Sequence, residues 1–598
     1  MPTVPSILRS RLAGFFGTGA STSISRRRAI LWIALFFCAV LWVASFGGDF
    51  PLNDDWSYGE TTRTYLNTGR LYMPTTCAVG FAHILWGLIF TKILGFSYVI
   101  LRLSSIVAGF VGAYYAYLAL EQVGLHRRES LFCTLVYAAN PIMVNLYLGF
   151  MSDGPALTLG AMYCYYLLSA LKRKSFKLAF AALGILLLAI TIRQSMVILS
   201  LAAPAFLLVR MGSIKQRLAL VAVFLLLPIA SFWAIDAWLL MRDASGHSLV
   251  DHYAAARAGH GSFLTGFVRA PFEQTLKTVS ALGVVACYLG LFISPVLLSA
   301  LVLAVTKRNY YSWPKTLLSV LLLALLVCLA SAYYQLHILH ALMPFCENVL
   351  RITSVGAQGI MGIANPILSG RQKVRLTVAS YLLAWLLLTQ IFALLFVAIK
   401  HVRLTVIRRK PPESLERSLP PALLAVLIAC FVTLGFITVE TIVRCTDRYY
   451  LIALLPVILA IAYFSRISRM RFASPFGIAL LLLYLSYSLA AGQDYLSSNS
   501  ARWRALVKLE AEGLKADSID GGAEYNIMRD VRVYASHYRG APPRDSWRWW
   551  PIKGEEYIVS FSTIPDFDEL WQEKYFSYLT LSEHSVHVLK QAKANVGR

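Results

Sequence analysis

Thirteen apolar runs, each about 20 residues long, constrain this chain more than any other feature of its sequence. A helix that crosses a bilayer needs a run of about that length, because it rises about 1.5 Å per residue. Hydrophobic residues make up 58% of the 598, an excess that the surface of a water-soluble protein does not tolerate. We therefore predict an α-helical polytopic membrane protein with about 13 transmembrane helices. The runs begin near Ala29, Ser104, Leu131, Gly154, Leu178, Ser195, Leu218, Thr278, Thr316, Leu376, Pro421, Tyr449 and Ser474.

The basic loops between these runs predict the orientation of the chain. Lys and Arg number 55 against 31 Asp and Glu, but the tail from Gln493 carries 14 basic and 15 acidic residues. The positive excess therefore lies in the membrane part and does not indicate a nucleic-acid partner. Short basic loops stay in the cytoplasm. They are HRRES (126–130), KRKSFK (172–177), RMGSIKQR (210–217), TKRNYYSWPK (306–315), residues 400–417 and SRISRMR (465–471).

This alternation divides the chain into three predicted parts. Residues 1–28 form a cytoplasmic N-terminal segment ahead of a retained signal anchor. Residues 29–492 form the transmembrane domain, and residues 493–598, where hydropathy falls, form a small external domain with mixed α/β patterning. The apolar run 78–94 is short and carries two ionisable residues, so we predict an interfacial or re-entrant helix there. The external loops are 47–102, 149–155, 242–277, 335–375 and 440–448.

Two adjacent carboxylates, Asp54 and Asp55, follow the first predicted span in the sequence NDDWSYGE. Neighbouring acids repel, which lets one of them hold its proton more tightly than a free Asp. Their side chains would point about 100° apart on a helix, so we expect one to face the reaction and the other to bind a cation or a neighbouring base. The alternative is that Asn53 or Asp54 only caps a short helix that ends near Gly69.

Asp153 and Arg193 occupy two further external turns. Asp153 lies in FMSDGPAL between two spans, where a solvated turn is the alternative to a functional carboxylate. Arg193 and Gln194 lie in AITIRQS, in a turn too short to leave the bilayer far behind. The guanidinium could reach lipid phosphates in general or bind one specific phosphate, and spacing does not decide between these.

A dense group of opposite charges precedes the twelfth span, in VETIVRCTDRYYLIALLP. Interfacial arginines and tyrosines are ordinary, but this density of opposed charge is less so. Histidines in the loop 242–277 are spaced irregularly, which favours solvated loop residues over a metal site. The charged group comprises Glu440, Arg444, Asp447 and Arg448.

Taken together, these motifs resemble the GT-C superfamily of membrane glycosyltransferases. The likeness is to the bacterial branch of glycosyltransferase family 39, related to protein O-mannosyltransferases and the lipid A aminoarabinose transferase. The acidic pair with Tyr58 is similar to the family's Asp-Glu or Asp-Asp motif. GFSYVILRLSSIVAG (95–109) and NPIMVNLYLGFMSDGPAL (140–157) resemble the next family stretches. IRQ and DRYYL match later landmarks in the same order, and IDGGAEYN is similar to external tails of this branch.

The resemblance implies a GT-C fold and a glycosyltransferase that moves a hexose or pentose from a polyprenyl-phosphate donor to a hydroxyl of a glycan, lipid or protein. The reaction would take place on the periplasmic side of a bacterial inner membrane, with inversion at the anomeric carbon. Asp54 aligns with the family's general base, but Asp-Asp in place of Asp-Glu leaves open which acid serves. Asp55 and Asp153 would orient the acceptor or a metal. Arg193, Arg444 and Arg448 would hold the donor phosphate. Tyr58, Gln194 and Asp447 would contact the acceptor or hold the other site residues in position.

Two other functions compete with this interpretation. A transporter or flippase for lipid-linked sugars predicts ionisable residues near the middle of the bilayer and internal repeats. An assembly factor would use the tail only as a binding module. The charges instead gather at one predicted face and we find no repeat, so the transferase is favoured. We expect no organic cofactor and no nucleic acid, and the resemblance leaves a divalent cation open.

Overall fold

The computed structural model describes most of the membrane part and of the tail. A helix lies within each of the thirteen predicted runs, and two further helices lie inside the loop 47–102, so the predicted helical fold is confirmed. The described residues are 24–69, 80–209, 211–242, 261, 263, 265–306, 313–334, 349–350, 381–393, 421–443, 446–468, 472–529, 556–564 and 566–592.

The helices are numbered in chain order. The first nine are α1 Arg26–Ala44, α2 Asp55–Thr68, α3 Phe81–Leu94, α4 Tyr98–Gln122, α5 Arg127–Ala138, α6 Pro141–Tyr147, α7 Asp153–Arg173, α8 Phe176–Ile192 and, after a 3-10 helix at Gln194–Leu208, α9 Ile214–Arg242. The others are α10 Pro271–Phe292, α11 Ser294–Thr306, α12 Trp313–Tyr334, α13 Tyr381–Ala393, α14 Pro421–Val443, α15 Leu451–Ser468 (preceded by a 3-10 turn, Asp447–Tyr450), α16 Pro475–Ala511 and α17 Ala523–Arg529.

Short polar residues fix where several of these helices begin. The Ser25 side chain accepts a hydrogen bond from a backbone N–H in the first turn of α1, and Ser97 does so for α4. Asn140 caps α6, whose first residue is Pro141, and the chain bends by 67° between α5 and α6. Proline is favoured at a first helical position because its missing N–H is not needed there. The sequence therefore breaks this span at a defined residue.

Seven helices in the described part of the chain are long and apolar enough to cross a membrane, or eight if the bent pair α5 and α6 counts as one span. Their outward faces carry exposed apolar side chains, among them Leu326, Phe431 and Leu483. Such faces suit contact with lipid. The protein is therefore a multi-span membrane protein. Helix α3 has 14 residues, or about 21 Å at 1.5 Å per residue, which is shorter than the bilayer core and fits the predicted interfacial or re-entrant helix.

Segments predicted to be cytoplasmic meet at one end of the helical bundle. Arg26 at the start of α1 and Arg127 at the start of α5 both pair with Glu121 at the end of α4, at 2.7 and 3.1 Å. Glu129 accepts the backbone N–H of Phe472, which follows the last basic loop, at 2.6 Å. The acidic pair and the turns that carry Asp153 and Arg193 lie at the opposite ends of the same helices.

The tail forms the predicted small α/β domain on the end of the last span. Its four-stranded sheet has the order β1, β2, β4, β3, with β1 and β2 parallel and the other pairs antiparallel. Helix α16 has 37 residues and runs without a break from the membrane into this domain. The predicted boundary at residue 493 therefore falls inside a helix, because composition changes there and the backbone does not. The strands are β1 Ile519–Asp520, β2 Tyr557–Ser560, β3 Phe567–Ser577 and β4 Ser582–Gln591.

The tail packs directly on the C-terminal end of α1. The rings of Trp42 and Tyr578 stack with centroids 5.9 Å apart, and Trp503 stacks on Phe50 at 5.8 Å. The Gln493 side-chain amide donates to a backbone carbonyl of the β3 strand and accepts the N–H of Tyr578, each at 2.8 Å. Aromatic contacts thus join the domain to α1 and to the segment that carries the acidic pair, while Gln493 ties β3 to α16.

Candidate active site

Asp54 faces other charged groups, whereas Asp55 is enclosed by backbone. The predicted short helix is present as α2 and ends at Gly69, which has φ 67°. Asp54 occupies its N-cap position but makes no capping hydrogen bond. Its Oδ2 instead lies 3.2 Å from both terminal nitrogens of Arg448. The Asp54 side chain remains 39% exposed, so capping is not its function and it can still meet a ligand.

Asp55 is completely buried, and both of its oxygens are occupied. Oδ1 accepts the N–H of Leu52, and Oδ2 accepts the N–H of Phe150 at 3.2 Å. Burial raises the pKa of Asp55 to about 7, against the opposing effect of the nearby Arg102 charge. Asp55 thus ties the segment 47–102 to the turn before α7. Its predicted role in orienting an acceptor or a metal stays a prediction.

The pKa of Asp55 predicts how stability depends on pH. An acid with a raised folded-state pKa keeps its proton in the fold while the unfolded chain releases it, so stability falls as pH rises between about 4 and 7. Relative to Asp55→Asn, the wild type should lose about 1.4 kcal/mol of unfolding free energy per pH unit in that window. Unfolding of both proteins at pH 5 and pH 7 measures this. The raised pKa of Asp55 would be contradicted if the unfolding free energy of the wild type, relative to that of Asp55→Asn, stayed constant or rose from pH 5 to pH 7.

Asp153 and Arg193 form a buried ion pair at the start of α7. Asp153 Oδ2 lies 2.9 Å from Arg193 Nη2, and the Asp153 side chain is only 4% exposed. This burial excludes the solvated turn. Arg193 Nε also donates to the Ser152 hydroxyl at 3.2 Å, and the guanidinium lies over the ring of Tyr449 at 5.2 Å. Arg193 is therefore fixed by protein groups and does not extend freely toward lipid headgroups.

Arg448 joins the two acidic positions. Besides its contacts with Asp54, its Nη1 lies 4.0 Å from Asp153 Oδ2. Four predicted residues from distant parts of the chain, Asp54, Asp153, Arg193 and Arg448, thus form one cluster. The cluster borders an open pocket with an empty volume of about 290 Å³. The pocket is lined by Asp153, Ala156, Leu157, Arg193, Ser195, Met196, Phe436, Arg448, Tyr449 and Ile452.

The other predicted site residues have separate positions. Tyr58 is buried and donates to the Ser152 hydroxyl at 3.1 Å, and burial raises its pKa, so it stays a neutral donor. Asp447 accepts the N–H of Leu350 at 2.7 Å and thus anchors part of the loop 335–375. Gln194 Nε2 is buried next to Arg193 and has no hydrogen-bond partner among the described residues. Arg444 lies outside the described residues.

Two residues near the cluster were not identified from the sequence as part of the site. Ser152 links Tyr58 to Arg193, and only its place beside Asp153 in the FMSDGP motif could have indicated it. His83 on α3 is buried against the ring of Phe150, with ring centroids 3.8 Å apart. Burial lowers the pKa of His83 to about 4, so its imidazole is neutral at physiological pH.

The described residues contain no group of three or more His, Cys, Asp or Glu side chains that could hold a metal ion. Most of the histidine-bearing loop 242–277 lies outside them. The cluster itself consists of carboxylates already paired with guanidinium groups. Its chemistry is therefore that of charge complementarity: a ligand with negative charge can bind the two arginines, and the exposed carboxylate of Asp54 can accept a proton.

A family model that matches part of the chain supports the predicted resemblance. Residues 79–235 match the family model described as dolichyl-phosphate-mannose-protein mannosyltransferase. ArnT from Cupriavidus metallidurans in the apo state is similar at 13% identity, with a TM-score of 0.36 over 96% of this chain and 100% of that chain. ArnT from Cupriavidus metallidurans bound to undecaprenyl phosphate is also similar at 13% identity, with a TM-score of 0.32 over 95% of this chain and 99% of that chain.

No curated protein matches the chain. The segment 79–235 that matches the family model runs from the start of α3 into α9, and it includes Asp153 and Arg193. It contains three of the six family-like motifs: GFSYVILRLSSIVAG, NPIMVNLYLGFMSDGPAL and IRQ. Over residues 79–235 the chain is therefore similar to the dolichyl-phosphate-mannose-protein mannosyltransferase family.

Proposed function

We propose that the protein transfers a sugar from a polyprenyl-phosphate donor to a hydroxyl of a glycan, lipid or protein. The observation that carries this proposal is the meeting of Arg193 and Arg448 at one pocket, each next to a carboxylate. The description of the matching family names a dolichyl-phosphate sugar, which supports a donor of this class. Reaction on the periplasmic side of a bacterial inner membrane completes the proposal.

The pocket suits the phosphate end of such a donor. Guanidinium groups match phosphate oxygens with two parallel hydrogen bonds. Apolar side chains, including Met196, Phe436 and Ile452, line the same pocket and can contact the first isoprene units. A phosphate bound there would compete with Asp54 for Arg448, so donor binding would release the Asp54 carboxylate for catalysis. Asp153, with both arginines near its Oδ2, would keep them in place.

Asp54 is the proposed general base. It removes the proton from the acceptor hydroxyl as that oxygen forms a bond to the anomeric carbon. The bond between the anomeric carbon and the phosphate oxygen breaks, and its electron pair leaves with the lipid phosphate. Arg193 and Arg448 stabilise the charge that develops on this phosphate. Attack opposite the leaving group inverts the anomeric configuration. Gln194, whose buried Nε2 is unpaired among the described residues, would donate to the phosphate or the sugar.

Purified protein in lipid nanodiscs, supplied with a panel of polyprenyl-phosphate sugars and an envelope extract as acceptor, tests this function. We expect release of polyprenyl phosphate with at least one donor, together with labelled sugar on an acceptor. A transporter or flippase would instead move the donor across the bilayer of a proteoliposome without cleaving it. Donor movement without release of polyprenyl phosphate would overturn the proposal.

The proposed parts are a cytoplasmic segment 1–28, a membrane domain 29–492 and an external domain 493–598. The exposed side chain of Leu581, at the turn between β3 and β4, allows a test of this orientation. In a cysteine-free background, Leu581→Cys should react with a membrane-impermeant maleimide in spheroplasts with intact inner membranes. Lys174→Cys, in a predicted cytoplasmic loop, is the matched control and should react only after lysis. The reverse pattern would show that the orientation is wrong.

A further inference from the structure

The tail contains a buried ion pair that reaches the acidic segment. Arg502 on α16 and Glu524 on α17 lie 2.7 Å apart, with side chains 1% and 3% exposed. Arg502 also donates to the carbonyl of Gly521 at 2.9 Å and to Asn499 at 3.1 Å. The guanidinium is therefore held by three partners, and Glu524 is fixed through it.

The second oxygen of Glu524 contacts the residue directly before the proposed base. Its Oε1 accepts the backbone N–H of Asn53 at 2.7 Å, across 471 positions of sequence. Asn53 has φ 53°, a left-handed conformation that asparagine adopts more readily than most other non-glycine residues. The Leu52 N–H on one side of it binds Asp55. Glu524 and Asp55 thus hold the turn from which the Asp54 side chain projects toward Arg448.

Attachment of the tail alone does not account for this pair. The stacked aromatic pairs of Trp42 with Tyr578 and of Phe50 with Trp503 already join the tail to the membrane part. A buried ion pair is usually no better for stability than apolar residues of the same volume, because both charges lose their hydration. One oxygen of Glu524 is fixed by Arg502 and the other binds the turn next to Asp54, which instead fits a role in positioning that turn.

We propose that Glu524, held by Arg502, is a positioning residue that sets the direction of the Asp54 carboxylate, so that the external domain completes the active site. This inference rests on the proposed transferase function. It makes the domain part of the catalytic machinery even though none of its described residues lines the pocket. Acceptor hydroxyls would then meet a base whose position depends on the fold of the tail.

Glu524→Gln is the informative substitution because it is nearly isosteric. A glutamine has one oxygen and one NH₂ group, so it can satisfy Asn53 or Arg502 but not both. We expect kcat to fall about 10- to 100-fold, since small displacements of a catalytic group cost that much, while the Kd for polyprenyl phosphate changes less than about threefold. Glu510→Gln is the matched control. Glu510 accepts the hydroxyl of Tyr525 at 2.8 Å in the same domain, and its loss should leave kcat within about twofold.

A double-mutant cycle with Asp54→Asn separates positioning from general destabilisation. If Glu524 acts through Asp54, Glu524→Gln should lower kcat in the wild type but have little effect in the Asp54→Asn background. Equal losses in both backgrounds, or equal effects of Glu524→Gln and Glu510→Gln, would overturn the inference.

Glu524→Asp is the substitute if Glu524→Gln does not fold. It keeps the charge beside Arg502, but its side chain is one methylene too short to reach both partners. An inactive wild type would instead count against the transferase function itself.

Discussion

Asp54→Asn is expected to lower kcat by about 10²- to 10⁴-fold, the usual contribution of a general base. The substitution keeps the shape of the side chain and removes its ability to accept a proton. Donor binding should be preserved or tightened, because Arg448 no longer pairs with a charged Asp54. Steady-state rates for kcat, and equilibrium binding of polyprenyl phosphate, measure the two effects separately.

Asp49→Asn is the control for this substitution. Asp49 belongs to the same external segment, and its Oδ1 accepts the N–H of Tyr98 at 2.6 Å, away from the pocket. An amide oxygen can take over that hydrogen bond, so kcat should stay within about threefold of wild type. Similar losses in the two variants would show that Asp54 contributes to folding of the segment and is not the base.

Arg448→Ala is expected to lower kcat by about 10²- to 10³-fold, as removal of one donor to a charge that develops in the transition state does elsewhere. Donor affinity should also fall by about 10-fold or more, because a charge-assisted hydrogen bond contributes about 1.5–3 kcal/mol. Arg448→Lys should recover only part of either loss, since an ammonium cannot bridge Asp54 and phosphate with a planar fork. Single-turnover rates and binding of polyprenyl phosphate provide the measurement.

Arg63→Ala is the matched arginine control. Arg63 lies on α2 of the same external segment, pairs with Glu60 at 2.9 Å and is 45% exposed. An exposed pair of this kind contributes at most about 1 kcal/mol, so activity and donor binding should be close to wild type. If Arg448→Ala behaved like Arg63→Ala, Arg448 would not hold the donor phosphate.

The helices were predictable because their signals are local. A run of apolar residues defines a span without reference to the rest of the chain. Ser25, Ser97 and the Asn140–Pro141 pair act within a few residues of their own positions. The break at Pro141 and the continuous helix α16 were not predicted. Hydropathy indicates whether a segment lies in lipid or in water, but it does not show where the backbone bends or continues as a helix.

The sequence indicated the four members of the charged cluster, but not which of them pair with one another. Motif order indicated Asp54, Asp153, Arg193 and Arg448 one at a time, but contact between Asp54 and Arg448 spans 394 positions and depends on how the helices pack. Asp55 illustrates the limit of the motif. Asp55 is the same residue type as its neighbour Asp54, but it is buried and binds two backbone N–H groups, which give it an anchoring role.

Glu524 was not identified as a site residue because it lies in the tail, where an isolated acid carries no chemical signal of its own. Only the fold shows that its partners are Arg502 and the N–H of Asn53. Ser152 was missed for a similar reason, since a lone serine between spans is ordinary in sequence. Polar residues whose importance comes from burial beside distant groups require the three-dimensional structure.

The most direct test of the transferase is the stoichiometry of one reaction. Wild-type protein and Asp54→Asn, each in nanodiscs, are given a polyprenyl-phosphate donor labelled in its sugar, with acceptor present. We predict that the wild type releases polyprenyl phosphate in equal amount to the sugar that appears on the acceptor, and that Asp54→Asn forms both products at least about 10²-fold more slowly. Labelled acceptor formed equally by both proteins, or donor left uncleaved by the wild type, would contradict transfer at this site.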